Sequence, residues 1–415
     1  MVSYPSREKT KDGAPGAVRY RNLILICERS RWGIQLGNSQ NCGQIPAMDI
    51  LDLFNGDLLE LPRNRSEEDY KEFLKSWFDE FHSTVDSLVG GDWVCQQLKA
   101  NKAVVVSLSD GILAALDSYF NGFPSEAFDH FSDAIAAVRP WLAPLASLED
   151  VSGELQFLYR IRTGSLTDFS RGDLFHIPFE MRTLVKPQRY SISGLPSLYL
   201  GGSVWACWEE LGRPSFEKMQ ISRFRAVEGS SIQLLDLGFR PAMIAAFMVT
   251  HPRSYGLEGK AAKFVLAHAI CWPLFAACSV HVKHPGDPFI PEYVIPQLLL
   301  QWIRTEPGFD GIRYFSTRIA QYVDDPRPAS NYVFPVKGSR ASGFCCQLSK
   351  KLILSRPMSW QILQSFTFTF KEPIVSVPIW LLKINADLEV PYWQTNFYEC
   401  EAKIRSLPCD RVDAI

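Results

Sequence analysis

Lys186–Gly212 reads KPQRYSISGLPSLYLGGSVWACWEELG, and the rest of the chain is most easily read outward from it. Arg189 precedes a turn built on Gly194 and Pro196, after which an apolar run ends at Tyr199. Gly201 and Gly202 break that run, and Ser203 is placed as the N-cap of a helix through Trp205, Trp208 and Leu211. Glu209 and Glu210 fall near the end of this two-turn helix. A loop, a strand end and an adjoining helix therefore supply an Arg, a Tyr and a Glu that can converge on one cleft.

Downstream and just upstream, short β-like runs alternate with loops and a few helices. Phe157–Ile161, Leu195–Leu200, Ser231–Leu237, Gly311–Phe315, Asn331–Pro335 and Ile374–Ile384 read as strands. Helices are placed at Val204–Leu211, Ala261–Ala277 and Ile290–Arg304. The mixture predicts an α+β fold rather than a regular βαβ series. No Gly-rich phosphate loop follows a strand, which excludes a Rossmann or P-loop enzyme.

The first 150 residues differ in character. A polar start with Gly13, Pro15 and Gly16 reads as a loose tail, and Asn22–Cys27 as a short buried strand. From Ser66, with Asp69 three residues on as a variant capping box, Tyr70, Phe73, Leu74, Trp77, Phe78, Phe81, Val85 and Leu88 form one helical apolar face. A second such segment runs from Ser125 and is expected to stop at Pro140. Residues 1–150 are thus expected to be a mainly helical module for regulation, sensing or oligomerisation. A seam at Pro140–Asp150 would separate it from a catalytic domain at 151–415.

Composition narrows the function classes. Of 415 residues, 47% are hydrophobic and 21% charged, a globular balance, and the formal net charge is only −2. No basic surface for nucleic acid or an anionic membrane is expected. The ten cysteines form no C-x-x-C pair and no metal site is expected, the His281/His284 spacing being incomplete. The apolar stretch Phe264–Cys278 is interrupted by His268 and Pro273 and reads as a buried helix, not a membrane span. With no leader-like N-terminus, the expected location is the cytoplasm, with thiols reduced.

The order Arg189, ten residues to Tyr199, eleven to Glu210 resembles the RES domain, a family named for its Arg, Glu and Ser. Gly194, Pro196, Leu198-Tyr199 and Ser203 stand in the same register; Pro187-Gln188 and Tyr190-Ser191 replace the usual Gly-Gly and Trp-Asn. Phe157–Thr163 (FLYRIRT) resembles the opening strand of that domain, and of Arg160 and Arg162 it is Arg160 that is expected to enter the cleft. Tyr293–Arg318 resembles the late helix and Gly-Ile strand ending in Ser, here Ser316. The resemblance spans about residues 155–340.

It implies an ADP-ribosyltransferase-like fold that takes NAD⁺ as a substrate rather than a resident cofactor, and breaks its nicotinamide–ribose bond as a glycohydrolase or phosphorylase. Glu210 would stabilise the oxocarbenium-like ribose, Arg189 would hold pyrophosphate or ribose oxygens, Tyr199 would wall the nicotinamide, and Arg160 and Ser316 would bind the substrate. The implied setting is a toxin or phage-defence effector, with an antitoxin or regulatory protein and possible homo-oligomers. Two alternatives stay open: ADP-ribose transfer to a macromolecule, and an inactive NAD-binding module.

Overall fold

The computed structural model describes residues 48–149, 157–164, 169–252, 256–319, 327–367, 381–383 and 388–413. The expected tail, the strand at Asn22–Cys27 and most of Ile374–Ile384 lie outside these residues. The chain divides into two compact units, Met1–Cys42 and Gly43–Ile415, and the described residues all belong to the second.

The helical part comprises α1 (Ile50–Asn55), α2 (Tyr70–Ser87), α3 (Trp93–Ala100), α4 (Lys102–Phe120) and α5 (Pro124–Leu142). α2 starts three residues later than the capping box suggested: Asp69 is the N-cap, its carboxylate accepting the Glu72 N–H at 2.9 Å, while Ser66 bonds Glu67 instead. The apolar face predicted for α2 is buried from Tyr70 through Val85. α5 runs two residues beyond Pro140, since a proline in the last turn removes only one helical hydrogen bond. α4 is long and apolar enough to cross a membrane by length and composition. Here it buries Val105, Leu108, Ile112, Ala115 and Leu116 in the core.

The strands are β1 (Ala146–Glu149), β2 (Leu158–Thr163), β3 (Ser197–Gly201), β4 (Met219–Ala226), β5 (Ile232–Leu237), β6 (Gly311–Phe315), β7 (Ser330–Pro335), β8 (Leu352–Ser355), β9 (Met358–Ser359), β10 (Leu381–Lys383), β11 (Glu389–Pro391) and β12 (Cys409–Asp410). Among them lie α6 (Arg171–Leu174), α7 (Val204–Glu210), α8 (Pro241–Thr250), α9 (Lys260–Ile270), α10 (Trp272–Cys278), α11 (Val294–Thr305), α12 (Cys346–Lys351), α13 (Trp360–Gln364) and α14 (Asn396–Arg405). The main sheet has the order β1-β5-β6-β7-β3-β2-β4-β8-β12, with β9 on β4; β10 and β11 form a separate hairpin. Only β5 and β6 pair in parallel among the described strands, and helices α8–α11 make the crossover between them. A mixed sheet with a helical N-terminal region agrees with the expected α+β class.

Two features of this sheet position the site. β2 and β3 share a single registered pair, Tyr159↔Gly201, so the sheet divides there into two halves. On the β3 side, the registers Gly201↔Asn331 and Tyr314↔Asn331 place Tyr199, Asn331 and Tyr314 on one face, because direct partners share a face and alternate residues along a strand do too.

Close packing crosses the expected seam near residue 150. Trp77 and Phe81 of α2 close on Trp272 of α10 with ring centroids 5.0 and 4.4 Å apart, and the Tyr70 hydroxyl donates to the Ala277 carbonyl at 2.9 Å. Arg65 and Glu292 form a buried pair at 2.8 Å. One core cluster runs from Ile50 through the crossover helices to Ile312 and Val333 of the sheet. The expected single helix Ala261–Ala277 is two, α9 and α10, bent by 56° at Cys271 ahead of Pro273.

Candidate functional site

The tightest polar arrangement centres on Glu210. α7 is short because Ser203, its N-cap, accepts the Ala206 N–H at 3.0 Å and Gly212, with φ 76°, ends the run after Leu211. Two glycines let this helix sit close on the sheet. A Cβ at Gly202 would fall 1.8 Å from the Arg327 carbonyl, and one at Gly201 would fall 2.6 Å from Cys207 Sγ. These close approaches are what the Gly201-Gly202 break serves.

At the far end of α7 the two adjacent glutamates separate in role. Glu209 accepts the Trp205 indole N–H at 3.0 Å and pairs with Arg213 at 2.9 Å. Glu210 turns over the sheet: its Oε1 accepts Ser316 Oγ–H at 2.5 Å and Asn331 Nδ2–H at 2.6 Å. Ser316 is fully buried, and its Oγ accepts the backbone N–H groups of Arg318 and Ile319 at 3.1 and 3.2 Å. Those donors occupy the lone pairs of Oγ, so its one proton points at Glu210. Arg318 Nε lies 3.7 Å from Glu210 Oε2, outside hydrogen-bond range, and the Glu210 side chain is 33% exposed.

Of the other expected site residues, Tyr199 lies on the same sheet face, its hydroxyl bonded to Ser191 Oγ at 2.8 Å. Burial pushes its pKa well above that of an ordinary phenol; the Ser191 bond opposes this, and the nearby Glu210 charge adds to it. Arg189 does not reach Glu210. Its two terminal nitrogens donate to the Cys278 and Val280 carbonyls at 3.1 and 2.9 Å, just past α10, and its guanidinium lies 5.6 Å from the Tyr293 ring centre.

Arg160 and Arg162, two apart on β2, project from one face of that strand, opposite Tyr159 and Ile161, so alternation cannot choose between them. Their surroundings do. Arg162 lies 3.9 Å from Asp173, whereas a terminal nitrogen of Arg160 is buried without a partner among the described residues. Burial, with the Arg162 charge beside it, lowers the Arg160 pKa to about 10. Arg160 stands on the face opposite Tyr159 and Gly201, and so on the other side of the sheet from Tyr199 and Asn331.

Two residues that the sequence did not single out, Asn331 and Arg318, stand against Glu210. Asn331 is a lone amide opening the buried run NYVFP, and a polar residue at a fully buried strand position was the available signal. His176 is a structural loop residue. Its Nδ1–H donates to the Ile177 carbonyl at 2.7 Å and its Nε2 accepts the Cys345 N–H at 2.8 Å.

No family model matches the chain, and no solved structure matches it. The protein described as "Putative toxin YopC" of Bacillus subtilis (strain 168) is 33% identical over 287 residues, which are 66% of this chain and 62% of that protein. The chain thus spans less than two thirds of the length of the relative it matches.

Proposed function

We propose that this protein is a toxin that destroys NAD⁺ by cleaving its nicotinamide–ribose bond, with an ADP-ribosyltransferase-like domain of RES type. The observation that carries the reading is the meeting of Glu210 and Ser316. These two residues, 106 apart in the chain, come from separate motif segments and are joined by a 2.5 Å hydrogen bond. The toxin setting is supported by the relative's printed description.

The chemistry follows from the groups present. As the C1′–N bond breaks, its electron pair passes to the nicotinamide nitrogen and cancels the ring's positive charge, leaving an electron-poor ribose carbon. The Glu210 carboxylate, held by neutral donors and one-third exposed, stabilises that charge and accepts a ribose hydroxyl. Tyr199 walls the nicotinamide side; Arg160, on the sheet face opposite Tyr159 and Gly201, is not placed against Glu210. The acceptor oxygen, from water or phosphate, then bonds to C1′ and releases a proton. An antitoxin or other regulatory partner fits an enzyme of this kind.

The test is nicotinamide release from NAD⁺ by the purified full-length chain, with and without phosphate, beside Glu210→Gln. Turnover lost in the variant supports the reading, and a phosphate requirement selects the phosphorylase. NAD⁺ left intact by the wild type under both conditions overturns it.

A further inference from the structure

Glu210 has two carboxylate oxygens, and the structure treats them differently. Oε1 receives both Ser316 Oγ–H and Asn331 Nδ2–H, which fill its two lone-pair directions. Oε2 has Arg318 Nε at 3.7 Å, too far for a hydrogen bond. A hydroxyl arriving from solvent must therefore be met by Oε2. Nothing in the motif spacing assigns a part to Asn331, yet it supplies half of this asymmetry.

We propose that Asn331 is a positioning residue for glycosidic cleavage, which locks the Glu210 carboxylate so that Oε2 alone faces the ribose. This rests on the NAD⁺ reading and deepens it. The amide orientation follows from its partner, since only the NH₂ side of Asn331 can donate to a carboxylate. Its reach follows from the register. Asn331 stands directly opposite Gly201 on β3, the glycine against which α7 packs closely. Asn331 is 5% exposed and Ser316 fully buried, so the clamp is buried while the carboxylate end remains accessible.

A single donor would leave the carboxylate free to rotate about that bond. Two donors from different segments, one at the end of β6 and one at the start of β7, define a plane and fix the rotamer. Among the described residues, Arg318, Tyr199, Tyr314 and Cys207 are the other charged or titratable groups close to Glu210.

The experiment compares wild type, Asn331→Ala and Asn331→Asp in steady-state NAD⁺ cleavage across a pH series. Asn331→Ala is expected to lower kcat by roughly 100-fold, the scale of removing one preorganised donor, with KM for NAD⁺ little changed. Asn331→Asp is expected to be as poor at neutral pH but to regain activity as pH falls. One proton shared by the two carboxylates restores a donor, which alanine cannot do. Wild-type kcat in Asn331→Ala, or an equal pH-independent loss in both variants, overturns the proposal.

Should the wild type leave NAD⁺ intact, the NAD⁺ reading falls while the clamp is still decided. A crystal structure of Asn331→Ala with the Glu210 carboxylate turned from Ser316 supports it, and one with the carboxylate in place overturns it.

Discussion

The Glu401 carboxylate, on the last long helix, accepts the backbone N–H of Val204 at 2.7 Å, and Val204 begins the helix that ends in Glu210. A residue 197 positions downstream thus satisfies an N-terminal donor of the short helix that carries the candidate catalytic carboxylate. Glu401 is 2% exposed and also accepts the Tyr392 hydroxyl at 2.6 Å, with Arg405 at 3.5 Å. Glu401→Ala removes the acceptor of the Val204 N–H and the carboxylate beside Arg405 in a buried setting. It should cost about 2–4 kcal/mol. Urea denaturation measures this, and an unchanged midpoint would show that the C-terminal segment does not hold α7.

Gly202 offers a sharper steric test. An added methyl must displace the Arg327 carbonyl, which is backbone and cannot swing aside. Gly202→Ala should shift α7 away from β7, lengthen the Glu210–Asn331 contact and reduce turnover at least ~10-fold even where the protein stays folded. Full activity in a folded variant would mean that the close approach is dispensable.

Acid should unfold the protein through two buried histidines. Burial lowers both the His176 and the His268 pKa to about 4, while unfolded histidine titrates near 6.5. As pH falls from 6.5 the unfolded chain takes up the protons first. Stability is therefore intact above 6.5 and is lost progressively down to about 4. Protonating His176 Nε2 also removes the acceptor for the Cys345 N–H. Urea midpoints measured over this range should fall, and less so for His176→Asn. A flat profile contradicts the argument.

The fragment 151–415 should not fold alone. It lacks Trp77 and Phe81, which cover Trp272, and Tyr70, which bonds Ala277. Each buried aromatic lost this way costs about 3–5 kcal/mol, and total stabilities of domains are only ~5–15 kcal/mol. Co-expression with 43–150 should restore soluble protein. A monomeric fragment with a sharp thermal transition would restore the seam at residue 150.

Much of this architecture was legible because it is local. β3, α7 and β6 follow from apolar runs cut by glycines and by a capping serine, and the Glu210–Ser316 meeting follows from motif order. What escaped depends on distant partners. β4, MQISRFRA, looks too polar for an interior strand. It is buried because Arg223 gives its head group to the Arg405 and Leu407 carbonyls, some 180 residues on. α4 and α8 are too uniformly apolar to show a face. The shared core of the early helices and the crossover leaves no mark in local composition. Nor does the tethering of Arg189 to the end of α10, a contact between segments 89 residues apart.

The long separations around Glu210 also set a timetable for synthesis. Ser316 and Asn331 leave the ribosome 106 and 121 residues after Glu210, and Glu401 follows later still, 197 residues after Val204. A growing chain holds Glu210 early but has nothing to orient it. A cell that makes this protein is thus exposed to an assembled carboxylate only once Glu401 has been made, and copies terminated before it carry none.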